Sequence, residues 1–138
     1  MKKEVVRIIS GFRKAGLLKK VKVVRFNKKH YLKHRENARE ITAERIKYFS
    51  NTHGFECNRV SIRNQKTRWG SCSTKGNLNF NYKILFLEPE MRDYIIVHEL
   101  CHLKEFNHSR KFWMLVEKIL PDYLEIKKEL KQQGLFFQ

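Results

Sequence analysis

The residues with the clearest chemical potential are two histidines and a glutamate in the run His98-Glu99-Leu100-Cys101-His102. On an α-helix, histidines four residues apart differ by only about 40° in direction, so both imidazoles can reach one metal ion. Glu99 points about 100° away from His98 around the same helix, which leaves its carboxylate free to take a proton from water. A zinc ion lowers the pKa of water from about 15.7 toward 7, so this arrangement suits hydrolysis.

A third ligand is needed, because catalytic zinc sites usually have three protein ligands and one open position. His108 follows His102 by six residues, so the helix must end or turn before His108 can face the same ion. Asn107 tolerates left-handed backbone geometry and can help this turn. The sequence predicts one zinc ion (Zn2+) per chain, held by His98, His102 and His108, with Glu99 as general base. The alternative is a helix whose histidines simply face the core or the solvent.

The elements that must position this site follow from periodicity and turn residues. Their order, a helix, then strands, then helices, predicts an α+β fold in one domain over residues 1–138. The predicted helices cover residues 4–18, 32–50, 88–104, 109–120 and 122–133. Gly54 is expected to end the second of these helices, Ser109 to cap the start of the fourth, and Gly134 to follow the end of the last. The predicted strands cover residues 20–26, 59–64, 67–73 and 78–82, of which the last two form a hairpin around the turn-rich residues 73–77.

Length and composition fit one globular domain of 138 residues, 41% hydrophobic and 32% charged. No apolar run approaches the roughly 20 residues that a membrane-spanning helix needs, and the basic start lacks a signal-peptide cleavage site. The three cysteines are odd in number and form no C-x-x-C pair, so we expect no disulfide framework and a cytoplasmic protein. The oligomeric state stays open.

Charge is unevenly distributed along the chain. The net charge is +16, of which +12 falls within residues 1–50. Such a region can attract nucleic acid or nucleotides through their phosphates, but a solvated lysine-rich surface has the same composition. His30, His34 and His53 lie in or beside this region and are predicted to be surface residues.

Two longer motifs resemble a known family. The segment at residues 94–113 reads YIIVHELCHLKEFNHSRKFW, and the segment at residues 65–81 reads QKTRWGSCSTKGNLNFN. Both are similar to the YgjP-like metallopeptidase family, which is related to SprT-like zinc peptidases. The likeness covers about residues 31–131 and leaves the basic segment 1–30 outside. It implies a zincin-like fold, with a small antiparallel sheet packed on the metal-binding helix and further C-terminal helices. It also implies the ligand set and the general base stated above.

The run Arg68-Trp69-Gly70-Ser71 provides candidate substrate-binding residues. Gly70 could let a substrate backbone approach closely, and an exposed strand edge could bind a peptide by strand addition. The alternative is a packed tryptophan with a glycine at a bulge. The residue that stabilises the oxyanion stays undecided among four candidates: Arg68, Tyr82, Tyr94 and Arg110.

Three functions are compatible with these features. The first is a zinc metallopeptidase acting on a peptide or protein substrate. The second is a metal-dependent nucleotide phosphohydrolase of the nucleoside triphosphate pyrophosphatase type, although the chain has no phosphate-binding glycine loop and no carboxylate cluster for Mg²⁺. The third is a nucleic-acid-associated protein with a zinc site, for which a general base beside the ligands would be unnecessary.

Overall fold

A computed structural model describes residues 5–6 and 24–132, with side chains from residue 26 onward. The elements follow the order strands, helix, strands, helices, which confirms the predicted α+β class. In chain order they are β1 (Val5–Val6), β2 (Val24–Arg25), α1 (Lys28–His53), β3 (Arg59–Arg63), β4 (Gly70–Cys72), β5 (Asn77–Asn81), a 3₁₀ helix (Tyr82–Phe86), α2 (Pro89–Cys101), α3 (Arg110–Ile119) and α4 (Tyr123–Gln132).

The long helix α1 has capping residues at both ends. The side chain of Asn27 accepts a hydrogen bond from the backbone N–H of His30, which begins the helix four residues before the predicted start. At the other end, Gly54 adopts a left-handed conformation with φ of 69° and donates its N–H to the carbonyl of Ser50. The predicted helix at residues 32–50 is therefore confirmed and extended at each end.

The sheet is mixed, which corrects the antiparallel sheet that the family resemblance implied. Its strand order is β3-β5-β4, with β4 antiparallel to β5 as the predicted hairpin requires. The same hairpin reverses the chain and places β5 in the centre, where it runs parallel to β3 in the register Ile62 to Phe80. The sequence predicted only the pairing of β4 with β5, because these strands form a local hairpin. The pairing of β5 with β3 on its other side depends on tertiary packing.

Helix α2 lies at the centre of the fold. It begins at Pro89, which suits the first turn of a helix, and its residues Ile96, Val97 and Leu100 are fully buried. The predicted end near residue 104 is three residues too late, because the helix stops at Cys101 and the chain turns. This early stop lets the following residues fold back toward the helix.

Two arginines connect α2 to its neighbours. The guanidinium of Arg45 in α1 donates to both carboxylate oxygens of Asp93 at 2.8 and 2.9 Å. The guanidinium of Arg92 donates to three backbone carbonyls at the end of the 3₁₀ helix, those of Ile84, Leu85 and Leu87. Bidentate and multiple hydrogen bonds of this kind fix orientation as well as position.

The two C-terminal helices pack against α2. Ser109 caps α3 as predicted, since its hydroxyl accepts from the N–H of Phe112. The predicted last helix is confirmed as α4, while its expected stop at Gly134 lies outside the described residues. Among the helices that the structure describes, none is long and apolar enough to cross a membrane.

The predicted N-terminal helix over residues 4–18 is wrong at its start. Val5 and Val6 form a strand that pairs antiparallel with Val24 and Arg25. β-Branched residues favour extended backbone, and this preference outweighs the helical spacing of the apolar residues there. The predicted strand at residues 20–26 is present as Val24–Arg25, and the other residues of both predictions lie outside the described part of the chain.

Candidate metal centre and active site

Two of the three predicted metal ligands come from the end of α2. His98 lies in the last turn, and His102 is the C-cap residue whose N–H still bonds to the carbonyl of His98 at 3.4 Å. The helical spacing brings their Nε2 atoms to 3.3 Å from each other. Local geometry alone therefore places two imidazole nitrogens together.

His108 completes the cluster from the loop that follows. The chain turns after α2 and returns, so the Nε2 atom of His108 lies 3.0 Å from that of His102 and 3.1 Å from that of His98. Nitrogen ligands about 2.0–2.1 Å from a tetrahedral zinc ion lie about 3.3–3.4 Å apart, close to these separations. In the described part of the chain, these three residues form the one group of histidine, cysteine or acidic side chains spaced to hold a metal ion.

The chemistry of the donor set also fits a divalent metal. The Nδ1 atom of His102 lies 3.2 Å from the backbone carbonyl of Glu105, and it donates there only when it carries the ring proton. That tautomer leaves a lone pair on Nε2, the atom that faces the other two histidines. Three converging lone pairs are stable together when a cation lies between them.

The surroundings keep the ligands neutral. Burial, with smaller contributions from the neighbouring His102 and His108, lowers the pKa of His98 to about 3. Burial also lowers the pKa of His102 and of His108. A neutral imidazole is the form that binds a metal, so all three groups are prepared for ligation near neutral pH.

Aromatic rings from α3 hold the imidazoles in place. The fully buried ring of Phe112 stacks on His102, with centroids 4.4 Å apart and an interplanar angle of 25°. Trp113 stacks on His108 at 5.8 Å and 24°. The buried Nδ1 of His98 has no hydrogen-bond partner among residues 26–132, so its orientation comes from ring packing. The sequence suggests Phe112 and Trp113 as core residues that wall the site, but it does not show that their rings stack on the ligands.

Glu99 is buried in the same cleft, with 7% of its surface exposed. Burial raises the pKa of its carboxyl to about 8, and the positive charge of Arg68 acts in the opposite direction. A carboxyl whose pKa lies near neutral can both accept a proton and release it again. The environment therefore gives Glu99 the property that a general acid–base group needs.

The cleft has a volume of about 230 Å³ and two distinct sides. We call residues 94–108, at the end of α2 and in the loop after it, the helix wall. We call residues 68–72, in and before β4, the strand wall. All four candidate substrate-binding residues from the sequence lie in the strand wall: Arg68, Trp69, Gly70 and Ser71.

Gly70 has a different surrounding from the one expected. A Cβ atom on Gly70 would lie 2.9 Å from Cγ of Glu99, closer than real Cβ atoms are found, and 3.1 Å from its Oε1, which is also a tight contact. The glycine thus makes room for the Glu99 side chain.

Of the four candidates for the oxyanion stabiliser, Arg68 and Tyr94 line the cleft. Tyr82 is fully buried elsewhere, with its hydroxyl 3.0 Å from Nδ1 of His30, and Arg110 is not among the lining residues. Burial raises the pKa of Tyr94 above its usual range, so its hydroxyl stays a neutral donor. Tyr94 precedes His98 by four residues, a spacing that places both on one helical face.

Two further residues line the cleft, and the sequence suggests one of them, Phe106, as a residue that walls the site. Cys72 lines the strand wall, and burial followed by the charge of Glu99 raises the pKa of its thiol to about 11, so the thiol stays protonated. Phe106 lies at the cleft with 53% of its surface exposed. Both positions depend on how the loops fold back.

A comparison with protein-family models identifies the family of this chain. The model described as YgjP-like, metallopeptidase domain, matches residues 3–133. The chain belongs to the YgjP-like metallopeptidase family. The match includes most of the basic segment at residues 1–30, which the sequence motifs alone did not place in the family. Membership makes the protein a hydrolase, and it implies peptide substrates and a divalent metal.

Solved structures support the same relationship, whereas no curated protein sequence matches the chain. The metallopeptidase zymogen abylysin of Pyrococcus abyssi is 29% identical, with a TM-score of 0.63, over 70% of this chain and 98% of that one. The metallopeptidase zymogen jannalysin of Methanocaldococcus jannaschii is 26% identical, with a TM-score of 0.51, over 70% and 95% of the two chains. The YgjP-like chain therefore shares its fold with small metallopeptidases.

Proposed function

We propose that the protein is a zinc-dependent peptidase of one domain, with His98, His102 and His108 as ligands and Glu99 as general base. The observation that carries this proposal is the convergence of three Nε2 atoms, 3.0 to 3.3 Å apart, in the cleft that also contains the Glu99 carboxyl. When bound, the zinc ion supplies a Lewis acid that polarises water and a peptide carbonyl.

Glu99 moves the protons of the reaction. As a water oxygen bonds to the carbonyl carbon of the peptide, one water proton passes to the Glu99 carboxylate. As the carbon–nitrogen bond breaks, the same proton passes to the amine nitrogen that leaves. Burial supports the first transfer, since a pKa raised to about 8 makes the Glu99 carboxylate a stronger base.

The strand wall supports a peptide as the substrate. Within residues 24–132, β4 pairs with β5 alone, so its other edge can accept an extended peptide as an additional strand. Arg68, Gly70 and Ser71 have accessible surface at this edge, and we propose that they contact the substrate. Trp69 is only 3% exposed, so its contribution is the shape of the wall.

The decisive experiment compares two substrate classes with one preparation. Zinc-loaded protein and the Glu99→Gln variant are assayed against a mixed peptide library and against the nucleoside triphosphates. The variant keeps the side-chain volume and the ligands, so zinc content should be unchanged while peptide cleavage falls by about a hundredfold or more. Cleavage of triphosphates without cleavage of peptides would instead establish the nucleotide phosphohydrolase. Undiminished cleavage by the variant would exclude Glu99 as the base.

We also propose that the basic N-terminal region, residues 1–50, binds nucleic acid without sequence preference. The support is its net charge of +12, part of which is carried by the exposed Lys28 and Lys29 at the start of α1. Neutralising these two together with Lys19, Lys20 and Lys22 should reduce the slope of log affinity against log salt and leave zinc content unchanged. No measurable binding of DNA or RNA at about 50 mM salt would refute this proposal.

The free thiols of Cys57, Cys72 and Cys101 support our proposal that the protein acts in the reducing cytoplasm. Cell fractionation that recovers the protein outside the cytoplasm would contradict it.

A further inference from the structure

The charges that line the cleft are few. Apart from the three histidines, the charged groups of the lining are Arg68 and Glu99. Glu99 is buried and faces the ligands, whereas Arg68 is exposed at the end of the strand wall. A substrate side chain that enters the cleft beside β4 therefore meets a cation.

Several arginines in residues 26–132 have partners, and of those without one, Arg68 alone lines the cleft. Arg39 donates to Glu36, Arg45 donates to Asp93, and Arg92 donates to three carbonyls. The guanidinium of Arg68 makes no hydrogen bond or ion pair with any residue in 26–132. Its positive charge acts on Glu99, where it lowers a pKa that burial raises. Its five N–H donors are thus available to a ligand.

The backbone that carries Arg68 is held in position. The amide of Asn81, which is 2% exposed, donates to the carbonyls of Arg68 and Gln65, both at 2.9 Å. The N–H of Asn81 donates to the carbonyl of Trp69 at 2.7 Å. The guanidinium is therefore presented from a fixed point at the cleft.

We propose that Arg68 makes this enzyme prefer peptides with an aspartate or glutamate within about two residues of the bond that is cleaved. The planar guanidinium can bind a carboxylate through two parallel hydrogen bonds, and no carboxylate other than Glu99 lines the cleft to repel an acidic side chain. This inference rests on the proposed peptidase function and adds its substrate class.

The test uses peptides that differ at one position, with glutamate, glutamine or lysine placed in turn at each of the two residues on either side of the cleaved bond. For wild type we expect kcat/KM to be about tenfold higher with glutamate than with lysine at one of these positions, and we expect this ratio to fall as salt rises. Arg68→Glu should invert the ratio, and Arg68→Gln should bring it close to one. Lys75→Glu changes an exposed cation in the turn before β5, outside the cleft lining, and should keep the wild-type ratio.

The outcomes distinguish a failure of the proposed peptidase function from a failure of the proposed preference for acidic peptides. Wild-type protein that cleaves no peptide with zinc present would overturn the proposed function itself. Cleavage with the same glutamate-to-lysine ratio in wild type and Arg68→Glu would overturn the substrate class alone. The substrate class would also be overturned if Arg68→Gln lowers kcat equally for all peptides, because Arg68 would then act through Glu99 and not on the substrate.

A second inference comes from the contact between the two walls. The geometry points to Gly70 as a positioning residue for the general base. The distances from an added Cβ to Cγ and Oε1 of Glu99, 2.9 and 3.1 Å, mean that any side chain at position 70 displaces the carboxyl. The backbone carbonyl of Asn79, at 3.1 Å, closes the other side of this space. A displacement of about 1 Å is enough to slow an enzymatic reaction by about a hundredfold.

The test combines Gly70→Ala with Glu99→Ala. In the wild-type background, Gly70→Ala should lower kcat at least tenfold, with zinc content retained. It should also lower the unfolding temperature. In the Glu99→Ala background, Cγ and Oε1 are absent, so the same substitution should lower the unfolding temperature much less. An equal shift of the unfolding temperature in both backgrounds would mean that the added Cβ collides with the carbonyl of Asn79 and not with Glu99, which would overturn the inference. An unchanged kcat in Gly70→Ala would overturn it as well.

Discussion

The helix wall and the strand wall of the cleft contain their functional residues for different physical reasons. In the helix wall, His98, Glu99 and His102 follow from the 3.6-residue period of a single helix. In the strand wall, Arg68 and Gly70 reach the site only because β4 pairs with β5 and packs against α2. The chemistry of the first wall is thus local in sequence, whereas that of the second depends on contacts between distant segments.

The two walls also differ in how they are fixed. Ligands of the helix wall are supported by aromatic rings of α3, which stack on His102 and His108. The strand wall is supported by hydrogen bonds from one buried side chain, that of Asn81. Substitutions in the two walls should therefore damage different properties, metal affinity in one and the geometry of the substrate edge in the other.

The largest effect should come from breaking the helix wall at its ligands. His98→Ala, His102→Ala and His108→Ala each leave two imidazoles, and we expect each variant to lose zinc and more than about 99% of peptide cleavage. Elemental analysis and a zinc titration measure the loss. If His108→Ala keeps full occupancy and affinity, the site has a different third ligand.

A smaller effect is expected from the support behind His108. Trp113→Ala removes the ring that stacks on this exposed ligand, so zinc affinity should fall by about tenfold to a hundredfold while the fold is retained. Competition with a chromogenic chelator measures the affinity. Met114→Ala is the matched control, because Met114 is its neighbour in α3 and is 58% exposed. Equal affinities in the two variants would show that the stack does not orient His108.

A substitution at Asn81 tests the support of the strand wall. Asn81→Asp keeps the side-chain size but removes the amide donor to the carbonyls of Gln65 and Arg68, so we expect a loss of about 1–3 kcal/mol in the free energy of unfolding. Zinc affinity should change little, which is the contrast with Trp113→Ala. Asn79→Asp removes a single longer hydrogen bond, to Ser71 at 3.3 Å, and should destabilise less. Urea denaturation of both variants tests the order.

The smallest effect concerns His30, far from both walls. It was predicted as a surface residue, but it packs against Phe26, Phe86 and Tyr82. Burial lowers its pKa, with smaller contributions from the charges of His34, Lys33 and Lys83. A lowered pKa in the folded state means that the unfolded chain binds the proton more readily, so stability falls as pH drops through the ordinary histidine range near 6.5.

We expect wild type to lose stability relative to His30→Gln as the pH drops from 7.5 to 5.5. His34→Gln should remove part of this difference. Urea denaturation of the zinc-loaded proteins at both pH values measures it, and parallel pH profiles of wild type and His30→Gln would contradict the assignment.

Short-range patterns in the sequence determined much of this protein. The i, i+4 spacing predicted two ligands on one helix, the capping signals of Ser109 and Gly54 predicted helix ends, and the turn-rich residues 73–77 predicted the hairpin. Each of these depends on backbone geometry within a few residues, so no knowledge of the fold was required.

Only the tertiary structure decided the rest. The parallel pairing of β3 with β5, the strand at Val5–Val6 and the contact between Gly70 and Glu99 join segments that are separated along the chain. The sequence suggested that Gly70 lets a substrate backbone approach, and it gave no sign that the Glu99 side chain packs where a Cβ at this position would lie. Periodicity reports which face of an element is apolar, but the neighbour that covers this face is chosen by the packing of the whole domain.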